Sequence, residues 1–282
     1  MRETLTTTDG RTLGWERRGA GPLLVCHPGG PGFSARGFDR AAGLDQHFTL
    51  ILLDPRGTGS SERPAEPTAY SIEDYVGDVE ELRNHLGEEA VNLLGWSHGG
   101  LVAMAYAATH PARVRRLVLV ATLARFQTEQ EEAMQAGIAK RSGEPWFEDA
   151  VAALEEEQNA DFANDEEVGA LARREFPLYF GRFGGPEREY LERTKETPNA
   201  DTLGHFNREI MSTFDLRPDL PRVTAPALVL AGEEDFIAGP VCATDIASAL
   251  PGAELVVIPE VGHFLFHEAP DRMRAEIFRF VA

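Results

Sequence analysis

Gly95-Trp96-Ser97-His98-Gly99 is the stretch of this chain best suited to covalent chemistry. A serine hydroxyl is a weak nucleophile unless it is held clear of its surroundings beside a base. The flanking sequence supplies such a mount. Val91-Asn92-Leu93-Leu94 is a short apolar run suited to a buried parallel strand. Leu101 to His110, with its alanines, Leu101, Met104 and Tyr106, predicts a helix that stops before Pro111. A G-x-S-x-G at a strand-to-helix turn fits a nucleophile elbow. The turn is too tight for a Cβ on either side, and the new helix directs its positive end at the reaction centre.

An attacking serine also needs a base, a group that orients the base, and donors for the oxyanion. Downstream, the apolar run Ala227–Ala231 leads into Gly232-Glu233-Glu234-Asp235, and Glu254–Pro259 leads into Val261-Gly262-His263. If both runs are strands of the sheet that carries Ser97, their loops emerge at the same edge as the elbow. His263 is therefore the expected base, with His267 a nearby alternative, and Asp235 the expected acid, with Glu234 and Glu233 beside it. One oxyanion donor is expected at the backbone N–H of His98, directly after the nucleophile. The other is expected at Gly30, in the loop His27-Pro28-Gly29-Gly30-Pro31-Gly32 that follows the Leu23–Cys26 run. Its glycines let the backbone approach a substrate oxygen. Asp54-Pro55-Arg56-Gly57-Thr58-Gly59-Ser60 reads as a tight structural turn with Arg56 tying loops together; no lysine follows its glycines as a phosphate-binding loop requires.

The elements that must position these residues follow from patterning. Residues 3–8 and 12–19 predict a hairpin around Asp9-Gly10. Apolar runs at 22–26, 48–53, 91–94, 114–120, 227–231 and 254–259 alternate with helices, one of them opened by Ser71 as N-cap, one over about 239–250 and a last one running to Ala282. This alternation predicts an α/β fold with a mostly parallel sheet covered on both faces. Between Ala124 and Asp215 the alternation stops. That segment reads as several helices without a convincing strand, a helical cap inserted after the 114–120 strand, with residues 1–123 and 216–282 forming the core. It would sit above the strand C-termini, where open α/β sheets bind ligands, and act as a lid.

The chain has 282 residues and a formal net charge of −19, and the segment 124–215 carries 21 acidic against 10 basic side chains. This balance argues against nucleic acid and against anionic membrane surfaces as partners. No run reaches the length of a membrane span, and the first residues lack a hydrophobic signal core, so a cytoplasmic location is expected. Cys26 and Cys242 are expected to be buried reduced thiols.

Gly29-Gly30-Pro31-Gly32, Asp54-Pro55-Arg56-Gly57-Thr58-Gly59, the elbow, Gly232-Glu233-Glu234-Asp235 and Gly262-His263 together resemble the α/β-hydrolase superfamily over the full length of the chain. The order Ser97, Asp235, His263 is the order of that superfamily's triad. Within it, the H-x-G-G-P-G loop and the D-x-R-G-x-G turn are similar to the proline iminopeptidases, which remove N-terminal proline from peptides. That resemblance implies an oxyanion donor at the glycine before the loop proline, here Gly30, and cap glutamates that hold the substrate's α-ammonium group. Glu175 and Glu209, beside the aromatic stretches Phe176–Phe183 and His205–Phe214, are the candidates, with Trp96 as a further substrate-binding residue. Two departures stand out. Pro28 occupies the histidine position of the family's H-G-G-P-G, and the elbow reads Gly-Trp-Ser-His-Gly where the family has Gly-Gly-Ser-Trp-Gly.

The expected activity is that of a serine hydrolase, without metal or cofactor, acting through an acyl-enzyme on a small-molecule or short-peptide amide or ester. An esterase, a lactonase or an acyltransferase on the same fold is the alternative, followed by a non-catalytic ligand-binding protein. Dehalogenase and epoxide hydrolase chemistry is disfavoured, because those members of the superfamily carry aspartate where this chain has Ser97. Sequence leaves the oligomeric state open.

Overall fold

Strands β1 (Arg2–Thr6) and β2 (Thr12–Arg18) form the antiparallel hairpin expected around Asp9-Gly10. The computed structural model describes residues 2–66, 68–159 and 161–282. Strands β3 (Leu23–His27), β4 (Thr49–Leu53), β5 (Val91–Trp96), β6 (Val114–Val120), β7 (Ala227–Gly232) and β8 (Glu254–Ile258) complete one eight-stranded sheet, in the order β1-β2-β4-β3-β5-β6-β7-β8. β2 runs antiparallel to β4, and every pairing from β4 to β8 is parallel.

Period-two alternation divides the apolar runs between two cores. Val25, Ile51, Leu93, Leu117, Leu119 and Val229 face one side, against helices α1 (Ile72–His85) and α2 (His98–Thr109). Leu24, Leu50, Leu52, Leu94, Val118, Leu228 and Leu230 face the other. There they meet Met273, Ile277 and Phe280 of the C-terminal helix, Pro270–Val281. Both faces are covered, which is why these strands read as continuous apolar runs. Ser71 caps α1 with a reciprocal pair, its hydroxyl accepting from the Asp74 N–H while the Asp74 carboxylate accepts from the Ser71 N–H.

Among the described residues, five α-helices lie between β6 and β7: α3 (Thr128–Ala139), α4 (Phe147–Asn159), α5 (Asp165–Glu175), α6 (Gly185–Thr194) and α7 (Ala200–His205). The ends of this insertion meet, with an isolated antiparallel bridge between Arg125 and Asp215 and the Leu216 N–H donating to the Ala124 carbonyl at 2.9 Å. Helix α8 (Pro240–Ala249) matches the helix expected at 239–250. The single last helix expected from sequence is two, α9 (Leu265–Glu268) and α10 (Pro270–Val281). Pro270 lacks the N–H that would continue the first into the second.

Arg56 does tie loops together. Its guanidinium donates to both carboxylate oxygens of buried Asp78, at 2.7 and 2.8 Å, and to the Ala69 and Asp74 carbonyls. Cys26 and Cys242 are free and buried, and burial pushes both thiols up, Cys242 to about 12, so neither is a reactive thiolate.

Candidate active site

Ser97 lies between β5 and α2, at the N-cap of that helix, with φ 54° and ψ −122°. A non-glycine residue held there costs about 1–3 kcal/mol, so its surroundings must hold it in place. They do so through hydrogen bonds and close packing. The Ser97 N–H donates to the Val120 carbonyl at 2.9 Å, and the Thr122 hydroxyl donates to the Ser97 carbonyl at 2.7 Å. A methyl group at Gly95 would lie 2.2 Å from the Gly99 carbonyl oxygen, and one at Gly99 would lie 2.4 Å from that of His27. The elbow exists because both flanks are glycine.

His263 follows β8 and Asp235 follows β7, and the parallel pairing of those strands brings the two loops together. The His263 Nδ1 lies 2.8 Å from Asp235 Oδ2, with both side chains buried. Asp235 Oδ1 accepts the N–H groups of Ile237 and Ala238 at 3.1 and 3.0 Å. This carboxylate is satisfied on both oxygens, and it fixes the Nδ1–H tautomer so that Nε2 is the free basic nitrogen. The neighbouring carboxylates are engaged elsewhere. Glu234 pairs with Lys140 at 3.0 Å, and Glu233 accepts the Glu260 N–H. His267 stacks on Tyr190 with ring centroids 4.5 Å apart, and its Nε2 lies 3.7 Å from the Glu187 carboxylate.

Gly30 has φ 134°, a conformation open to glycine, and a methyl group there would meet the Gly32 nitrogen at 2.8 Å. Gly29 and Gly30 line the same cavity as Ser97 and His263. His98 opens α2, so its N–H is among those unpaired at a helix start. Its ring is buried against Tyr75 and Phe206, and burial drives it down to about 3, hence neutral. His27 is likewise neutral, at about 4 through burial, with Nδ1 3.1 Å from the Pro28 carbonyl.

The cavity has a volume of about 1140 Å³ and lies between the strand ends and the helical insertion. Its walls are largely apolar and aromatic, with Trp96, Phe176, Tyr179, Phe206 and Phe264 among them. Trp96 lines it while packing on Phe264 and donating its indole N–H to the His263 carbonyl at 3.3 Å. Glu175 lines it too, buried at the end of α5, and beside it stands Glu157 of α4, which sequence reasoning missed. Burial raises both carboxyls. Glu175 is raised further by the charge of Glu157, so burial and mutual repulsion both favour protonation at this pair. Glu209 does not join them. It is exposed, on the short π-helix Phe206–Ile210, and outside the cavity wall. The ammonium-binding expectation for Glu209 is corrected accordingly. Glu157 sits in an acidic run, Glu155-Glu156-Glu157, and only tertiary packing distinguishes it from its exposed neighbours.

Among the described residues no three His, Cys, Asp or Glu side chains converge as a metal site needs, and no helix is long and apolar enough to cross a membrane.

The model of the alpha/beta hydrolase fold family matches residues 22–270, and the chain belongs to that family. Its similarities span several chemistries. It is 30% identical over 280 residues to the pimeloyl-(acyl-carrier protein) methyl ester esterase of Nitrosospira multiformis, covering 94% of this chain and 96% of that one. It is 28% identical over 254 residues to a proline iminopeptidase of Pestalotiopsis fici, covering 89% and 88%. Among solved structures it matches the enol-lactonase of Burkholderia xenovorans LB400 with a TM-score of 0.74 and 26% identity, over 99% of each chain. These relatives are hydrolases, and the chain is a hydrolase of this fold.

Proposed function

We propose that the protein cleaves an amide or ester through an acyl-enzyme on Ser97, with His263 as base, Asp235 as its orienter, and the N–H groups of Gly30 and His98 as oxyanion donors. The observation that carries this reading is the buried 2.8 Å contact between His263 and Asp235, beside the cavity that Ser97 and His263 both line. The Ser97 proton passes to His263 Nε2 as Oγ bonds to the carbonyl carbon. The tetrahedral oxyanion collapses, and the leaving amine or alcohol takes that proton. Water then repeats the sequence and releases the acid. These residues supply every group the scheme uses, and no metal or cofactor enters it.

For the substrate class, an amine-bearing amide such as an N-terminal aminoacyl group is the reading favoured by Glu157 and Glu175 in the cavity wall. A substrate ammonium would favour the ionised forms of both and be held by two carboxylates. A neutral ester is the second reading, favoured by the aromatic walls and by likeness to an esterase and a lactonase. Prolyl-p-nitroanilide and p-nitrophenyl butyrate, assayed side by side with Ser97→Ala as control, separate the two. Amide turnover lost in the variant supports the first reading, and ester turnover alone supports the second. Turnover of both surviving in Ser97→Ala rules out the scheme.

A further inference from the structure

Glu268 ends α9, five residues after His263 and outside the triad. Its carboxylate accepts the Gly181 N–H at 2.8 Å, the Gly262 N–H at 3.1 Å and the Phe264 N–H at 3.2 Å. Gly262 and Phe264 flank His263, whereas Gly181 belongs to the insertion. One side chain thus joins the base's loop to the helical segment over the site. The two backbones meet closely at the same place. The His263 N–H donates to the Tyr179 carbonyl at 2.6 Å, and a methyl group at Gly262 would lie 2.3 Å from that oxygen. Tyr179, two residues before Gly181, lines the cavity and packs on the His263 ring with centroids 5.4 Å apart.

We propose that Glu268 is a positioning residue: it holds His263 through the backbone on either side and couples the base's position to residues 179–181 of the insertion. This rests on the reading of His263 as the base of Ser97. The ionised carboxylate serves all three amides best, since protonation weakens one oxygen as an acceptor and turns an O–H donor toward donors. Burial pushes Glu268 up to about 7, with the three backbone N–H groups opposing and the Asp235 charge adding to the rise. The charged and titratable groups whose fields reach it are Asp235 from the β7 loop, Arg141 just after α3 and Tyr190 of α6. Arg141 donates to the Phe180 and Glu234 carbonyls and so braces the same junction. The clamp therefore loosens as pH falls through about 7.

The test compares Glu268→Gln and Glu268→Asp with the unaltered enzyme, using p-nitrophenyl butyrate kinetics over pH 5 to 9 and amide hydrogen exchange. For Glu268→Gln, kcat is expected to fall about 10- to 100-fold, the range a misplaced base produces, with KM little changed. The acid limb of its pH profile loses one of two ionisations, and exchange quickens in peptides covering 179–181 and 262–264. Glu268→Asp, which keeps the charge, recovers part of kcat. Unaltered kcat and acid limb in Glu268→Gln, or unaltered exchange in both segments, overturns the proposal. Should Glu268→Gln fail to fold, exchange in the unaltered enzyme at pH 6 and 8, corrected for intrinsic rates, serves instead. Faster opening at pH 6 supports the clamp, and equal opening overturns it. Turnover that survives Ser97→Ala sinks the triad reading separately, because the exchange measurement does not depend on catalysis.

Discussion

The Thr122 hydroxyl donates to the backbone carbonyl of Ser97 at 2.7 Å, so a side chain just beyond β6 holds the strained turn at the end of β5. Thr122 is itself buried, and a methyl group at Gly100 would approach its hydroxyl oxygen to 2.3 Å. The Thr122→Val variant removes the hydrogen bond while keeping shape. It is expected to cost about 1 kcal/mol in denaturant unfolding and to lower kcat several-fold, because the relaxed turn no longer presents Oγ in one orientation.

The elbow's dependence on glycine leads to a sharper expectation. Gly99→Ala would force a methyl group to 2.4 Å from the His27 carbonyl oxygen, which is backbone and cannot swing aside. Since His27 leads directly into the Gly29-Gly30 loop, the damage reaches the oxyanion side of the site. Expression, thermal midpoint and turnover should all fall together, with destabilisation of about 2 kcal/mol or more. A variant with unaltered midpoint and turnover would show that the turn is looser than its geometry here.

Asp235 and Glu234 are adjacent carboxylates with different partners, His263 at 2.8 Å and Lys140 at 3.0 Å. Asp235→Asn should lower kcat by about 10⁴ through loss of the correct tautomer, with the fold intact. Glu234→Gln breaks a half-exposed ion pair and should change kcat less than twofold. Equal losses in the two variants would contradict the assignment of the acid.

Much of this was legible in the sequence, and the boundary is physical. Ser97, Asp235 and His263 sit in loops directly after apolar strands, and those strands together with the G-x-S-x-G pattern pointed to them, with Glu233, Glu234 and His267 left beside them as alternatives. The insertion's ends at Ala124 and Asp215 showed as a break in alternation and meet in the structure. Cap residues were harder, because a helix face exposes or buries a glutamate according to what packs on it. Glu175 and Glu209 looked equivalent beside aromatic stretches, yet one is buried in the cavity wall and the other exposed. Glu157 carried no sequence signal distinct from Glu155 and Glu156. The division of the last helix is marked in the sequence by Pro270 itself, which lacks the N–H a continuous helix needs there.

Glu157 and Glu175 make stability depend on pH. A carboxyl raised in the folded state binds its proton more tightly there than in the unfolded chain. Its contribution is fully present below the ordinary carboxylate range and is lost as pH rises through the raised value. The thermal midpoint of Glu175→Gln should therefore fall less between pH 5 and 9 than that of the unaltered protein. The same variant should lose at least tenfold in kcat/KM on prolyl-p-nitroanilide and little on p-nitrophenyl butyrate, if an ammonium binds at this pair. Parallel midpoint curves would contradict the raised carboxyls, and equal losses on both substrates would contradict the amine-binding reading.

The central claim is that Ser97 carries the acyl group. Rapid mixing with excess p-nitrophenyl butyrate, acid quenching and peptide mass mapping test it directly. A burst of p-nitrophenol, with one butyryl group per chain confined to the peptide containing Ser97 and absent from Ser97→Ala, is the predicted result. Turnover without any acylated Ser97, or the adduct on another residue with Ser97→Ala still active, would contradict it.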